Sequence, residues 1–136
     1  MIDLRVGQAS GRAESERGLE MLQALRGPRR LTVAGDKGYD TAAFVASCRA
    51  LKVTPHVAQN ERRPGGSALD LRTTNWPGYA VSQRVRKRVE EIFSWIKTVG
   101  NFRRTRYRGV ERTRFAAYLV GAAYNLLRIA KLCPSG

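Results

Sequence analysis

Asp36 and Glu90 are the side chains of this sequence best placed for metal-assisted chemistry. Asp36 follows the run Leu31-Thr-Val-Ala-Gly35 and precedes Lys37-Gly38-Tyr39. An apolar, β-branched run of that length reads as a buried strand, and ligand sites of open α/β sheets gather outside the carboxyl ends of strands. A carboxylate there can ligate Mg²⁺, which is often held by one or two carboxylates plus phosphate oxygens. It can equally cap the turn that Gly38 permits, or pair with Lys37. Glu90 lies within Ser82–Val99, where Gln83, Arg86, Glu90 and Lys97 recur at steps of three, four and seven residues. That spacing places all four along one face of a helix. The face can hold a carboxylate between two phosphate-gripping cations. It can also be a solvated face with an Arg86–Glu90 ion pair, worth on the order of a few tenths of a kcal/mol.

Taken together the two acids suggest more than either does alone. Phosphodiester chemistry commonly uses a pair of divalent ions held by a few carboxylates, one activating the attacking oxygen and one stabilising the leaving oxygen. Arg86 and Lys97 are suited to hold a nucleic-acid backbone beside such ions. A second candidate is Phe102-Arg103-Arg104-Thr105-Arg106-Tyr107-Arg108. Its arginines can grip phosphate, while its rings can stack on an unpaired base or dock into the core. His56, the single histidine, reads as structural, Trp76 and Trp95 as core or semi-core, and Cys48 and Cys133 as small apolar filler.

These residues need elements to position them. Residues 1–10 are a short mixed stretch. Residues 13–26 read as a helix with Leu19, Leu22 and Leu25 at helical spacing, stopped by Gly27-Pro28. A strand over 31–35 delivers Asp36. Asp40 is then the expected N-cap of a helix from Thr41 to Leu51, with Phe44, Val45, Cys48 and Leu51 inward. Residues 52–58 read as a second strand, with Pro55 favouring an edge position or a bulge. Residues 59–80, with Pro64-Gly65-Gly66 and Pro77-Gly78, read as one long loop. Ser82 caps the next helix, 82–99, whose apolar stripe is Val85, Val89, Ile92, Phe93, Ile96 and Val99, and Gly100 ends it. The last helix, 110–131, is apolar from Phe115 to Leu127 and is expected to be buried in its middle. The result is one α/β domain over 1–136, thin in strands, with a basic helical part over 82–131.

Composition narrows the partners. The 136 residues carry 25 Lys and Arg against 11 Asp and Glu, a net charge of +14. A surplus that large repels itself unless a polyanion neutralises it, and nucleic acid is the first candidate. The surplus is concentrated in residues 81–136, with 13 basic and 3 acidic side chains. No apolar run is long enough to span a bilayer, and the start MIDLRVGQAS has no apolar signal core, so no membrane partner and a cytoplasmic location are expected.

Against this background, Arg86-Lys-Arg-Val-Glu90-Glu-Ile-Phe-Ser-Trp-Ile-Lys97 resembles the signature of bacterial insertion-sequence transposases with an RNase H-like DDE domain. That signature is Tyr, two residues, Arg, three residues, Glu, six residues, Lys. Arg86, Glu90 and Lys97 fit it, and Gln83 stands at the Tyr position. Gly35-Asp36-Lys37-Gly38-Tyr39-Asp40 resembles the strand-end motif bearing the family's second catalytic Asp. Thr54–Asn60, Trp95–Val99 and Ala122–Leu126 also resemble the family, in order and across nearly the whole chain. The resemblance implies a partial RNase H-like fold, Mg²⁺ or Mn²⁺, and DNA cleavage and strand transfer at transposon ends. It gives Asp36 and Glu90 the catalytic and metal-binding roles. Contact with DNA is expected from Lys37, Arg86, Lys97, Arg103, Arg104, Arg106 and Arg108. The first catalytic Asp has no counterpart here, since Asp3 lies in no matching context. A C-terminal fragment, inactive alone, is the expectation, with a homodimer or a full-length transposase as partner. The alternative is a non-catalytic basic DNA-binding regulator.

Overall fold

A computed structural model describes residues 3–8, 10–25, 27, 30–104 and 106–133 of the chain. Its elements are α1 (Ala13–Ala24), β1 (Leu31–Gly35), α2 (Ala42–Ala50), β2 (Val53–Val57), α3 (Leu71–Thr74), α4 (Pro77–Thr98) and α5 (Val110–Leu132). They form two compact units, Gly11–Arg88 and Met1–Ser10 with Val89–Gly136. A helix-rich α/β chain was expected, and a partial RNase H-like arrangement with a small parallel sheet is found. Arg26 and Pro28, at the expected end of the first helix, lie outside the described residues.

In the unit Gly11–Arg88, β1 and β2 pair in parallel, from Leu31 opposite Val53 to Gly35 opposite Val57. Parallel strands need a crossover of a dozen or more residues, and α2 supplies it. One face of the sheet turns inward. Val53 and Val57 join Phe44, Val45 and Cys48 of α2 and Leu69 in the core, with Leu19 and Leu22 of α1 packed against them. Pro55, opposite Val33, is fully buried.

The start of α2 differs from expectation. Thr41, not Asp40, is the N-cap, its Oγ1 accepting from the Phe44 amide at 3.1 Å. Asp40 is 1% exposed. A carboxylate that deep must accept hydrogen bonds, and the following loop provides them. Its two oxygens accept from the Asn60 amide at 2.7 Å and the Ala68 amide at 2.9 Å. Arg63 adds a bond to the Asp40 carbonyl at 2.7 Å. Pinned in this way, residues 59–80 are not one loop. Asp70 caps the short α3 by accepting from the Thr73 amide at 3.2 Å, and α4 begins at Pro77, five residues ahead of Ser82. Proline suits a first helical position because the amide it lacks would have no partner there. Hydrogen bonds from Thr73 hold the Asp70 carboxyl below its ordinary range.

In the other unit, α4 ends and α5 returns. The Trp95 and Tyr124 rings meet edge-on at 5.3 Å. Gly100 is needed for this packing: a Cβ there would lie 2.6 Å from Val120 Cγ1 and 2.7 Å from the Ile96 carbonyl oxygen. The left-handed residue that ends the helix is Asn101, at φ 51°, rather than Gly100. The expected burial of the middle of the last helix is not met, and the apolar stripe of α4 is mostly uncovered. Only Ile96 is buried on α4, while Val85, Val89, Phe93 and Val99 are exposed. On α5 only the small residues Ala116, Ala117 and Gly121 are buried. Small side chains let a helix approach its neighbour closely, and they leave the large ones on the far face.

Asp40→Ala is expected to destabilise the chain by about 2–4 kcal/mol, since it strands two buried amides. Urea unfolding followed by far-UV circular dichroism measures this. A loss within experimental error of zero would show that the buried carboxylate does not hold the loop.

Candidate DNA and metal site

β1 positions Asp36. The strand ends at Gly35, and the chain turns through the single 3-10 turn Lys37–Tyr39, with Asp36 as its cap. One Asp36 oxygen accepts from the Gly38 amide at 2.7 Å. A Cβ on Gly38 would sit 2.9 Å from that oxygen, so glycine is what permits the contact. The capping role considered from the sequence is thus real, and it orients the carboxylate. Its second oxygen makes no hydrogen bond or ion pair among the described residues, and the side chain is exposed.

Sequence reasoning missed what backs this turn. The Tyr39 hydroxyl donates to Glu14 of α1 at 3.0 Å, and its ring packs on Phe44 at 5.1 Å. Burial, then the negative charges of Glu14 and Asp36, push the Tyr39 phenol far above its ordinary pKa. Tyr39 is therefore a fixed donor. No spacing rule would have linked Glu14 to a tyrosine 25 residues later.

α4 carries the other candidates, and β2 anchors its first turns. Tyr79 donates to the Val57 carbonyl at 2.9 Å, and Gln83 donates to the His56 carbonyl at 2.7 Å. Ser82 Oγ meets His56 Nδ1 at 2.8 Å, and His56 lies edge-on to Tyr79 at 5.5 Å. Burial lowers the His56 pKa, which disfavours the charged ring, and its contacts are those of a structural histidine. Gln83, at the signature's Tyr position, thus serves as a bracket, while the anchoring tyrosine stands one helical turn earlier. Burial raises the Tyr79 pKa, and Arg86, partly buried on the same helix, acts on it weakly in the opposite direction.

Glu90 and Lys97 are exposed on the part of α4 that belongs to the other unit, at about one and about three turns beyond Arg86. Asp36 lies in the unit Gly11–Arg88. Arg103, Arg104, Arg106 and Arg108 are exposed in the segment between α4 and α5, and Thr105 lies outside the described residues. With Asn101, Arg103, Arg104 and Arg106 line an open cavity of about 570 Å³. Such a cationic hollow suits a phosphate group.

A second cavity, of about 1180 Å³, was not foreseen. It lies in the unit Gly11–Arg88 and is lined by Arg30, Lys52, Thr32, Thr54, His56 and Trp76, among others. Trp76, expected in or near the core, is 66% exposed. It folds over Gly78, where an added Cβ would meet its ring at 3.0 Å. Trp95, by contrast, is half-buried against Tyr124, as expected.

Among the described residues, no group of three or more His, Cys, Asp or Glu side chains gathers as a metal site. The donor set that fits a divalent ion is narrower: an oriented strand-end carboxylate with one oxygen open, the kind of ligand that Mg²⁺ shares with phosphate oxygens. None of the helices among the described residues is long and apolar enough to cross a membrane.

Comparison with known proteins gives the context. A family model described as "Transposase DDE domain" matches residues 1–126. Neither the curated proteins nor the solved structures searched gave a match. The matched family acts on DNA and generally uses divalent metal ions. Because the match covers nearly the whole chain, from the residues before α1 into the last third of α5, the chain belongs to the transposase DDE domain family, whose function is DNA transposition.

Proposed function

We propose that Asp36 and Glu90 are the carboxylates through which this chain contributes to DNA cleavage and strand transfer. The observation that carries the proposal is Asp36 itself: exposed at the C-terminal end of a parallel strand, fixed by the Gly38 amide, with its second oxygen available. A divalent ion bound there would supply charge for the attacking and leaving oxygens of a phosphodiester. The side chains have separate tasks. Asp36 and Glu90 hold charge near the reacting phosphate. Lys37, Arg86 and Lys97 grip the backbone beside it, and Arg103, Arg104, Arg106 and Arg108 extend that grip. The donors are Mg²⁺ or Mn²⁺ ligands in type, being oxygen only.

The polypeptide 1–136 does not cleave DNA on its own, in this reading. The support is that no third carboxylate gathers with Asp36 or Glu90 among the described residues. A full-length transposase would have to complete the site. The cell interior, where DNA is found, is the setting this implies. The same observation favours the second reading, a non-catalytic DNA-binding regulator that keeps the basic surface and has lost the chemistry.

Three outcomes test these statements. Isothermal titration of Mn²⁺ should show weak binding that falls about tenfold or more in Asp36→Asn and in Glu90→Gln; unchanged affinity in both variants would remove the site. The purified chain should leave supercoiled transposon-end DNA intact with Mg²⁺, and nicking that Glu90→Gln abolishes would show that it is catalytically complete. DNA affinity should drop steeply with salt, and replacing Arg103, Arg104, Arg106 and Arg108 by Ala should reduce the log–log slope by roughly 3–4. A slope that does not change would exclude this cluster from the DNA contact.

A further inference from the structure

A carboxylate serves a metal well only if the backbone beneath it holds still. The turn that carries Asp36 has little holding it from within. Asp36, Lys37 and Gly38 are all exposed. Two backbone bonds close the turn, Tyr39 amide to Asp36 carbonyl at 3.2 Å and Asp40 amide to Lys37 carbonyl at 3.3 Å, both at the long end of the usual range. The buried Asp40 secures the chain beyond the turn. Tyr39 secures the turn on its other side. Its ring is wedged between β1 and α1. A Cβ on Gly35, the residue before Asp36, would meet the ring at 3.2 Å, and a Cβ on Gly18 of α1 would meet it at 3.5 Å. Strand and helix thus offer bare backbone to the two sides of the ring. Phe44 packs on the ring at 5.1 Å, and the hydroxyl donates to Glu14 at 3.0 Å. Glu14 and Gly18 are one helical turn apart, so ring and hydroxyl meet the same face of α1.

We propose that Tyr39 is a positioning residue for Asp36 and that Glu14 is its anchor, so that α1 sets the direction in which the strand-end carboxylate meets a divalent ion. The inference rests on the reading of Asp36 as a metal ligand. Neither Tyr39 nor Glu14 touches the ion; they act on the backbone that carries the ligand. The hydroxyl has a task that the ring cannot perform alone. Apolar packing is non-directional, and a ring held only by packing is free to tilt. A hydrogen bond to a charged acceptor is directional and of the stronger kind. Glu14 is well placed as that acceptor, since it lies in the first turn of α1, where the helix dipole favours a carboxylate. With its tilt fixed, the ring bears on Gly35 immediately before Asp36, and Tyr39 itself ends the turn two residues after it. A metal ligand must be held within about 0.5 Å of its productive position. A tilting ring displaces Gly35, and the displacement passes directly to the ligand.

A tyrosine that merely stabilised the fold would behave differently. Its loss would lower stability and leave the folded molecules with an unaltered Asp36. Solution NMR of the isotope-labelled chain separates the two roles. The Gly38 amide, bonded to Asp36, reports the turn without any metal. Broadening of the Lys37 and Gly38 signals by added Mn²⁺ reports affinity at Asp36. Tyr39→Phe keeps the ring and removes the hydroxyl. It should move the metal-free Gly38 signal and weaken Mn²⁺ binding roughly three- to tenfold, less than the loss of a group bonded directly to a ligand. Glu14→Ala should do the same. Glu14→Gln keeps an oxygen acceptor and should stay near the unaltered chain. The double variant Tyr39→Phe with Glu14→Ala should be no worse than either single one, because only one bond is lost. Val53→Ala opens the core at the far end of the sheet, opposite Leu31. It should lower stability in urea and leave both NMR readouts unchanged.

A Gly38 signal and a Mn²⁺ affinity that Tyr39→Phe leaves unchanged would overturn the proposal. An equal loss in Val53→Ala would overturn it too, since the effect would then be one of stability. So would a loss in Glu14→Gln as large as in Glu14→Ala, which would mark the charge of Glu14, not its hydrogen bond, as what the ion feels. Broadening that is absent from the unaltered chain, or indifferent to Asp36→Asn, would remove the metal reading and the positioning role with it. The metal-free Gly38 signal tells that failure from a failure of the tether: it still moves in Tyr39→Phe if the hydroxyl holds the turn, and stays in place if it does not.

Discussion

The buried carboxylate of Asp40 is the constraint on which most of the unit Gly11–Arg88 depends. A charged group with 1% exposure is tolerable only where donors converge on it. The donors here are backbone amides of Asn60 and Ala68, so the requirement of one side chain fixes the path of a segment 20 to 28 residues away. That path drops Leu69 into the core, sets Asp70 to cap α3 and to pair with Arg49 of α2 at 3.1 Å, and leads the chain into α4 at Pro77. Tyr79, Ser82 and Gln83 then engage β2. The first turns of the helix that carries Arg86 are thus traceable to the two hydrogen bonds that Asp40 accepts.

The local elements were legible in the sequence because each is decided within a few residues. The strands over 31–35 and 53–57 show in their β-branched content, and the inner face of α2 shows in the spacing of Phe44, Val45 and Cys48. Asp36 was legible for the same reason: a strand end followed by a glycine turn is a local pattern. What could not be read are consequences of contacts far apart in sequence. Asp40 and Thr41 are both good caps, and only the loop's need for an acceptor assigns Asp40 to the interior. Ser82 reads as a cap until His56, 26 residues earlier, claims its hydroxyl. The apolar content of α5 correctly marked a helix. It could not say that the three smallest residues would take the packed side.

The two units divide the physical labour unevenly. The unit Gly11–Arg88 contains the sheet, the aliphatic core and the oriented Asp36. The helical unit contains Glu90, the arginine-rich segment and the exposed apolar side chains of α5. Buried surface stabilises the first; the second holds much of its apolar and cationic surface out toward solvent. A protein of the transposase DDE domain family must engage long DNA, and a net charge of +14 gives attraction without sequence preference. Selectivity must come from geometry added to that field.

Pro55 has a further consequence. The Ala58 amide donates to the Gly35 carbonyl, so even-numbered residues of β2 point their amides toward β1 and odd-numbered ones point away. Pro55 is odd-numbered and has no amide to offer, and the outward Val57 carbonyl is already taken by Tyr79. Parallel strands that end a sheet usually present a row of free donors and acceptors, which invites misassembly into fibrils. On the β2 side that row is interrupted at two of its positions. Addition of a further strand on the β2 side is therefore disfavoured by Pro55 and the Tyr79 contact together.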